Sequence, residues 1–167
     1  STIGNAGITS RSVVVVVGST SGPLSPVPLA LRGTAGITRV ATTLLYAGVR
    51  NVAILDGGHG KWVADGYPTE SGTITPTPVT YCSIVKSRMF VSMQYVNSKI
   101  GKSTIVDCRD PGVYSCLILE PWAAYKGHIP TARNLPAPSL WNVKTDGSGN
   151  AIYVTYKAWY TLWKMAY

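Results

Sequence analysis

The chain has 167 residues, of which 46% are hydrophobic and 13% are charged, and its formal net charge is +8. This apolar content suffices for one packed domain or two small ones. The sequence contains no run of about 18 apolar residues, the length that would predict a membrane-spanning helix. The basic residues are scattered singly, without a basic run or an interleaved aromatic ladder, so the charge does not predict a nucleic-acid partner.

The first predicted elements are a strand, a long loop and a helix. Residues 13–17 are all valine, a β-branched run that is typical of a buried strand. Three prolines fall within residues 18–36, which predicts a loop there. Residues 39–45 place apolar side chains at helical spacing, and Gly48 is expected to end that helix.

The next stretch predicts a strand, a glycine turn and a short helix. Residues 52–55 form a continuous apolar run, which is typical of a parallel strand buried on both faces. Asp56, Gly57 and Gly58 follow, and glycines suit unusual backbone angles. Trp62 and Val63 then supply the apolar face of a helix. Residues 72–80 combine two prolines with several threonines, which predicts an extended linker.

Further along, residues 91–99 predict a helix that Ser92 caps and that Gly101 stops. Residues 104–107 predict a strand, and Asp110 with Pro111 marks the start of a helix or turn. Residues 132–135 predict another strand. Residues 156–167 carry apolar side chains at helical spacing and predict a last helix.

Two stretches of this sequence resemble the rhodanese family. Residues 47–68 contain, in order, Gly-Val, Asn-Val, Leu-Asp-Gly-Gly, Trp and Gly-Tyr-Pro, with which rhodanese domains end. Residues 103–114 resemble the family's opening strand, Leu-Val-Asp-Ala-Arg-Asp-Pro, and residues 127–136 resemble its Gly-His-Ile-Pro segment. The resemblance implies a rhodanese-like α/β fold, with a central parallel sheet flanked by helices on both faces. The competing interpretation is an ordinary α/β unit with a conventional turn.

The two stretches occur in the reverse of their order within one rhodanese domain. This order is expected if the chain spans the junction of two tandem domains. Residues 1–72 would then be the C-terminal part of an upstream domain, residues 73–90 a linker, and residues 91–167 the N-terminal part of a downstream domain.

The family resemblance implies sulfur transfer through a cysteine persulfide. A thiolate takes the sulfane sulfur of a small anionic donor such as thiosulfate and passes it to cyanide or another thiol. In the upstream domain residues 17–20 occupy the place of the cysteine loop and contain no cysteine, so that domain is predicted to be silent. The nucleophile of the downstream domain is expected beyond Tyr167. No cofactor is expected, because Cys82, Cys108 and Cys116 lack the spacing of a zinc site.

Arg109 is the candidate substrate-binding residue. It follows the first downstream strand, at the edge where α/β sheets bind ligands. Asp107 is expected to cap or pair locally, and His128 is expected to bond nearby backbone rather than catalyse. Cys108 is not expected to be the nucleophile. Val113 stands where mercaptopyruvate-type members carry an arginine, which argues against that donor.

Two functions remain open at this stage: part of a tandem sulfurtransferase, or a rhodanese-like binding or regulatory module without a catalytic cysteine. The residues after Tyr167 would discriminate between them. A hydrolase or nucleotide binder is not favoured, since the sequence has neither a GxSxG elbow nor a P-loop. No membrane partner is expected. The compartment stays open between the cytoplasm, which is favoured, and the periplasm, which would require a signal peptide before this sequence.

Overall fold

The computed structural model describes residues 2–24 and 29–158, which form two compact units. Unit 1 contains the described residues up to Met89 together with Asn142–Tyr156. Unit 2 contains Phe90–Trp141 and residues 157–158. Both units combine helices with a pair of parallel strands, so the fold is mixed α/β. Within the described ranges, no helix is long and apolar enough to cross a membrane.

In chain order the helices and strands are α1 (Thr2–Asn5), β1 (Val13–Val16), β2 (Gly22–Pro23), α2 (Leu29–Tyr46), β3 (Asn51–Ile54), α3 (Gly58–Ala64), α4 (Met93–Lys99), β4 (Val106–Asp107), α5 (Pro111–Tyr114), β5 (Arg133–Asn134), β6 (Trp141–Thr145) and β7 (Asn150–Tyr156). Short 3-10 helices occupy Ser87–Met89 and Ala137–Leu140.

In unit 1 the parallel pair β1–β3 packs against the long helix α2. The helix buries one face, and its buried apolar residues Ala30, Ile37, Ala41 and Leu44 recur at helical spacing. Val49 lies beyond the end of the helix and is fully buried. The hydrophobic core of unit 1 therefore lies along this face of α2.

The two predicted strands are present, but the expectation that they are fully buried is wrong. Exposure alternates along both β1 and β3, and Val13 and Val15 are 75% and 53% exposed. Successive side chains of a strand point to opposite faces of the sheet. Because α2 packs against this pair, the side chains of one face are shielded while the valines of the other stay exposed.

The predicted loop over residues 18–36 is also wrong in part. Helix α2 begins at Leu29, ten residues before the predicted helix start. Prolines disrupt a helix in its interior but are compatible with its first turn. The prolines before Leu29 therefore did not exclude a helix that begins there. Thr34, inside the predicted loop, is 2% exposed and its hydroxyl donates to the Ala30 carbonyl oxygen at 3.0 Å.

A three-stranded antiparallel sheet in the order β2-β7-β6 completes unit 1. Strand β7 pairs with β2, with Gly22 opposite Ala151, and it packs against α3 and α2. Ala151 and Val154 are 3% and 1% exposed, so this strand belongs to the core. The sequence interpretation had no strand here. Its predicted helix over residues 156–167 begins at Tyr156, the last residue of β7, and residues 159–167 lie outside the described part of the chain.

Unit 2 confirms the local predictions made for its first half. The Ser92 hydroxyl accepts a hydrogen bond from the Tyr95 amide at 3.2 Å and caps α4, and Gly101 has a positive φ of 71°. Strands β4 and β5 are parallel, with Val106 opposite Arg133. Flanking of a single central sheet by helices on both faces stays a prediction, since the described strands form separate small sheets.

Candidate functional site

The carboxyl edge of β4 carries an ion pair between Asp107 and Arg109. The guanidinium Nε of Arg109 donates to Asp107 Oδ1 at 3.0 Å, and its Nη2 donates to Oδ2 at 2.6 Å. The backbone amide of Arg109 also donates to Oδ1 at 3.0 Å. The local pairing expected for Asp107 is therefore present, and it is bidentate, which fixes the orientation of the guanidinium.

This pair has an electrostatic consequence. The Arg109 side chain, through its hydrogen bonds, holds the pKa of the Asp107 carboxyl below its ordinary value, although partial burial opposes the effect. Asp107 is thus ionised throughout the neutral range. The side chain of Arg109 remains 34% exposed, so the pair faces solvent on its cationic side.

Two hydrogen bonds hold the Gly-His-Ile-Pro turn, and a third joins Tyr114 to the chain just after the turn. Arg109 Nη2 donates to the Gly127 carbonyl oxygen at 2.8 Å. His128 Nδ1 donates to the Tyr114 carbonyl oxygen at 2.8 Å, since a carbonyl oxygen can only accept, and the two rings stack with centroids 4.1 Å apart. The Tyr114 hydroxyl donates to the Ala132 carbonyl oxygen at 2.7 Å. His128 thus bonds backbone, as the sequence interpretation predicted.

Asn134 is a further clamp that the sequence interpretation did not single out. Its side-chain amide donates to the carbonyl oxygens of Asp107 and Arg109, at 3.0 and 2.9 Å. It thereby holds the chain that leaves β4 against β5. The sequence signal for this role was the asparagine of the matched Asn-Leu-Pro segment. The NH₂ group of an asparagine side chain has two hydrogens and can donate to two carbonyl oxygens at once.

A cleft of about 620 Å³ opens at this edge of unit 2, formed by residues 105–109, residues 125–129 and Ala132. Its cationic groups are Arg109 and Lys126, and Asp107 supplies the carboxylate. Tyr125 forms part of its wall and is 88% exposed. A cleft of this size suits a small ligand, and two cations against one carboxylate favour an anionic one.

The three cysteines are free and exposed. Cys108 lies in the cleft wall, and its carbonyl oxygen accepts from the Ala137 amide at 3.0 Å. Cys116 has a positive φ of 65° just after α5, and Cys82 lies in a stretch without helix or strand. Within the described ranges, no group of three or more His, Cys, Asp and Glu side chains could hold a metal ion.

In unit 1, the loop after β1 packs its central residue, Thr20, against the Leu-Asp-Gly-Gly turn. The Thr20 side chain is buried, and its hydroxyl donates to the Gly57 carbonyl oxygen at 2.6 Å. Gly58 has a φ of 56°, and a Cβ atom there would lie 2.3 Å from the Gly18 carbonyl oxygen. Glycine is therefore required at this position by both backbone angle and close approach. The hydroxyls of Ser19 and Ser21 lie 3.2 Å apart at the surface.

The remaining residues of the Leu-Asp-Gly-Gly stretch have structural partners. Asp56 Oδ1 accepts from the Tyr156 amide at 2.8 Å, which ties β7 to the end of β3. Trp62 Nε1 donates to the Pro68 carbonyl oxygen at 2.9 Å, and its ring lies 4.7 Å from that of Tyr67. The matched tryptophan and Gly-Tyr-Pro thus close the turn after α3.

Comparison with known proteins places these observations in a family, although no family model matches the chain. A protein of Synechococcus elongatus with the provisional name thiosulfate sulfurtransferase is 30% identical over 140 residues, which cover 84% of this chain and 40% of that protein. The sulfur carrier protein TtuD of Thermus thermophilus is 33% identical over 103 residues, covering 54% of this chain and 36% of the relative. The chain thus spans about two fifths of the length of these relatives.

Solved structures show the same fold. The anaerobic ergothioneine biosynthesis enzyme of Chlorobium limicola, in complex with trimethyl histidine, matches 98% of this chain and 40% of its own, with a TM-score of 0.76 and 20% identity. A cysteine-persulfide form of EanB with ergothioneine matches with a TM-score of 0.74 and 21% identity, over 98% of this chain and 40% of that chain.

The mixed α/β fold, the ordered motifs and the sulfurtransferase relatives define the class of this protein. The chain belongs to the rhodanese family.

Proposed function

We propose that the protein transfers sulfane sulfur from thiosulfate or a related small anionic donor to a thiol or cyanide acceptor. The observation that carries this proposal is the cationic cleft at the carboxyl edge of β4, where Arg109 and Lys126 face an open volume of about 620 Å³. The names of the relatives support sulfur transfer, and one solved neighbour carries a cysteine persulfide.

The proposed reaction is a double displacement. A cysteine thiolate attacks the outer sulfur of thiosulfate, the sulfur–sulfur bond of the donor breaks, and sulfite leaves with the bonding electron pair. Cyanide or a thiolate then attacks the outer sulfur of the persulfide, which releases the acceptor–sulfur product and restores the cysteine thiolate. No net oxidation or reduction of the protein results, so the cycle requires no cofactor.

The nucleophile is proposed to lie beyond Tyr167 in a longer polypeptide. Thiolates are stabilised where helix N-termini and backbone amides surround the sulfur. Cys116 instead follows the C-terminal end of α5, and Cys82 belongs to neither a helix nor a strand. Cys108 follows β4, in a position where the family carries a small residue. The loop after β1 contains no cysteine, so the upstream domain is proposed to be silent.

Arg109 is proposed to contribute to donor binding through its charge. Its Nε and Nη2 are occupied by Asp107 and the Gly127 carbonyl oxygen, so it is both a positioning group for the turn and a cation of the cleft. A lysine at this position keeps the charge but cannot reproduce the bidentate pair. Comparing glutamine with lysine therefore separates charge from clamping.

The test is thiocyanate formation from thiosulfate and cyanide. The 167-residue chain is expected to form none above the uncatalysed rate, whereas a longer polypeptide with a cysteine loop after Tyr167 is expected to be active. In that polypeptide, Arg109→Gln should raise the KM for thiosulfate about tenfold, and Arg109→Lys should raise it less. Thiocyanate formation by the 167-residue chain that disappears in Cys108→Ser would contradict the proposal. An aspartate or serine at the loop position would instead favour a non-catalytic module.

A further inference from the structure

An exposed apolar loop borders the cleft of unit 2. Residues 117–125, named here the 117–125 loop, contain five large apolar side chains that face solvent. Leu117, Trp122 and Tyr125 are 75%, 77% and 88% exposed, and Ile118 and Leu119 are about half exposed. Single exposed apolar residues are ordinary, but a contiguous group of them marks an interaction surface.

Hydrogen bonds give this loop a defined shape. The amides of Leu117 and Ile118 both donate to the Gly112 carbonyl oxygen at 2.9 Å. The Ala123 amide donates to the Glu120 carbonyl oxygen at 2.9 Å and closes a turn at the tip. Lys126 Nζ donates to the Leu117 carbonyl oxygen at 3.0 Å and ties the two ends together. A loop that is ordered before binding loses less conformational entropy when a partner docks.

The loop ends at the proposed site of sulfur transfer. Tyr125, its last residue, and Lys126, which closes it, both line the cleft that contains Arg109. A partner bound to the loop would therefore be adjacent to that cleft. We propose that the 117–125 loop docks the sulfur acceptor, and that this acceptor is a protein whose surface has an apolar centre and an acidic rim. This inference rests on the proposed function.

The charge of unit 2 favours an acidic protein over a second copy of this chain. Residues 90–141 and 157–167 contain seven Lys and Arg against three Asp and Glu. Two copies of a unit with this net positive charge would repel one another, whereas an acidic partner would be attracted. The aromatic pair Trp122 and Tyr125 is typical of the residues that dominate protein–protein binding energy.

A membrane surface is the less favoured occupant. Interfacial membrane segments are typically amphipathic helices with several Lys and Arg along the polar face. The 117–125 loop belongs to no helix or strand. A protein pocket that receives Trp122 fits this loop better.

The test uses the 167-residue chain and a fluorescent synthetic peptide in which leucine pairs alternate with glutamate pairs. Fluorescence anisotropy is expected to show salt-sensitive binding, which Trp122→Ala and Tyr125→Ala each weaken about tenfold. The matched control is Tyr95→Ala, because Tyr95 is an exposed tyrosine of unit 2 on α4. This control should keep the affinity within about twofold of the parent chain. Circular dichroism should show that all three variants are folded.

Four results would overturn the proposal. The first is an equal peptide affinity for the parent chain and both loop variants. The second is loop-dependent binding to phosphatidylglycerol vesicles without peptide binding. The third is a dimer that Trp122→Ala abolishes. The fourth is protection of the loop from hydroxyl-radical labelling in a longer polypeptide that no longer binds the peptide. Peptide binding requires no reactive thiol, so this outcome is independent of whether the protein transfers sulfur.

Discussion

The loops that follow β1 in unit 1 and β4 in unit 2 differ in how their polar groups are used. After β1, Thr20 is buried against the Gly57 carbonyl oxygen, and Gly22–Pro23 pairs with β7. After β4, the Asp107–Arg109 pair borders a cleft of about 620 Å³.

This difference shows that a ligand site at the end of a strand requires polar groups that are still able to bond to a ligand. A polar group that is already bonded within the fold cannot also bind a ligand without losing its partner. In unit 1 the buried polar groups near the loop are bonded within the unit. In unit 2 Arg109 and Lys126 also make bonds within the unit, but each has more N–H groups than those bonds use, and both line an open cleft. The contrast predicts that tight packing dominates the response of unit 1 to mutation, and that charge dominates the response of unit 2.

The largest effect is expected for Gly33→Ala. A Cβ atom at Gly33 would lie 2.1 Å from the Ser19 carbonyl oxygen, so α2 and the loop after β1 would have to separate. We expect a loss of about 3 kcal/mol in the free energy of unfolding, measured with urea. The matched control is Gly36→Ala in the same helix, where a Cβ meets nothing within 4 Å, and a gain of up to about 1 kcal/mol is expected. Equal stability of the two variants would refute the tight packing of this loop.

The next effect concerns the hairpin that completes unit 1. Val154 is 1% exposed, and Val154→Ala should cost about 2 kcal/mol through two lost methyl groups and the remaining cavity. The control is Val143→Ala in β6, where the side chain is 39% exposed and the change should stay within about 0.5 kcal/mol. Comparable losses of unfolding free energy in the two variants would show that Val154 does not belong to the core of unit 1.

A smaller, pH-dependent effect is expected in unit 2. The folded-state pKa of Asp107 is lowered by Arg109, so this contribution to stability is complete above the ordinary pKa of about 4 and is lost as the pH falls through the lowered value. The Arg109 amide donates to Asp107, so its protection factor, corrected for the intrinsic pH dependence of exchange, should fall on acidification. In Asp107→Asn, exchange should be faster at neutral pH, and this acid-dependent step should be absent. An unchanged acid response in the variant would assign the step to another group.

The smallest effect is expected for Tyr156→Phe. The Tyr156 hydroxyl is buried without a hydrogen-bond partner among the described residues, and burial raises its pKa. Removing this hydroxyl should leave stability unchanged or raise it by up to about 1 kcal/mol at neutral pH. A raised pKa also means that the parent chain loses stability as the pH rises above about 10, and the phenylalanine variant should lose less. A marked loss in the variant at neutral pH would indicate that the hydroxyl has a partner.

The local predictions from sequence held where neighbouring residues decide the conformation. The Ser92 cap and the helix start at Asp110-Pro111 depend on contacts within a few positions, and both are present. The predicted start of α2 was wrong. The prolines suggested a loop over residues 18–36, but burial of Ala30 and Ile37 in the core stabilises a helix from Leu29 onward.

The sequence by itself determined the family motifs, the strands near residues 13–17, 52–55, 104–107 and 132–135, and the local role of Asp107, because these depend on short-range chemistry. Only the tertiary structure decided which distant groups meet. Arg109 reaches Gly127 across 18 positions, Thr20 reaches Gly57 across 37, and Asp56 reaches Tyr156 across 100. Each of these contacts joins an ordinary polar side chain to a backbone group, and backbone groups are alike at almost every residue. The sequence therefore carries no local signal for such a pair until packing brings its two members together.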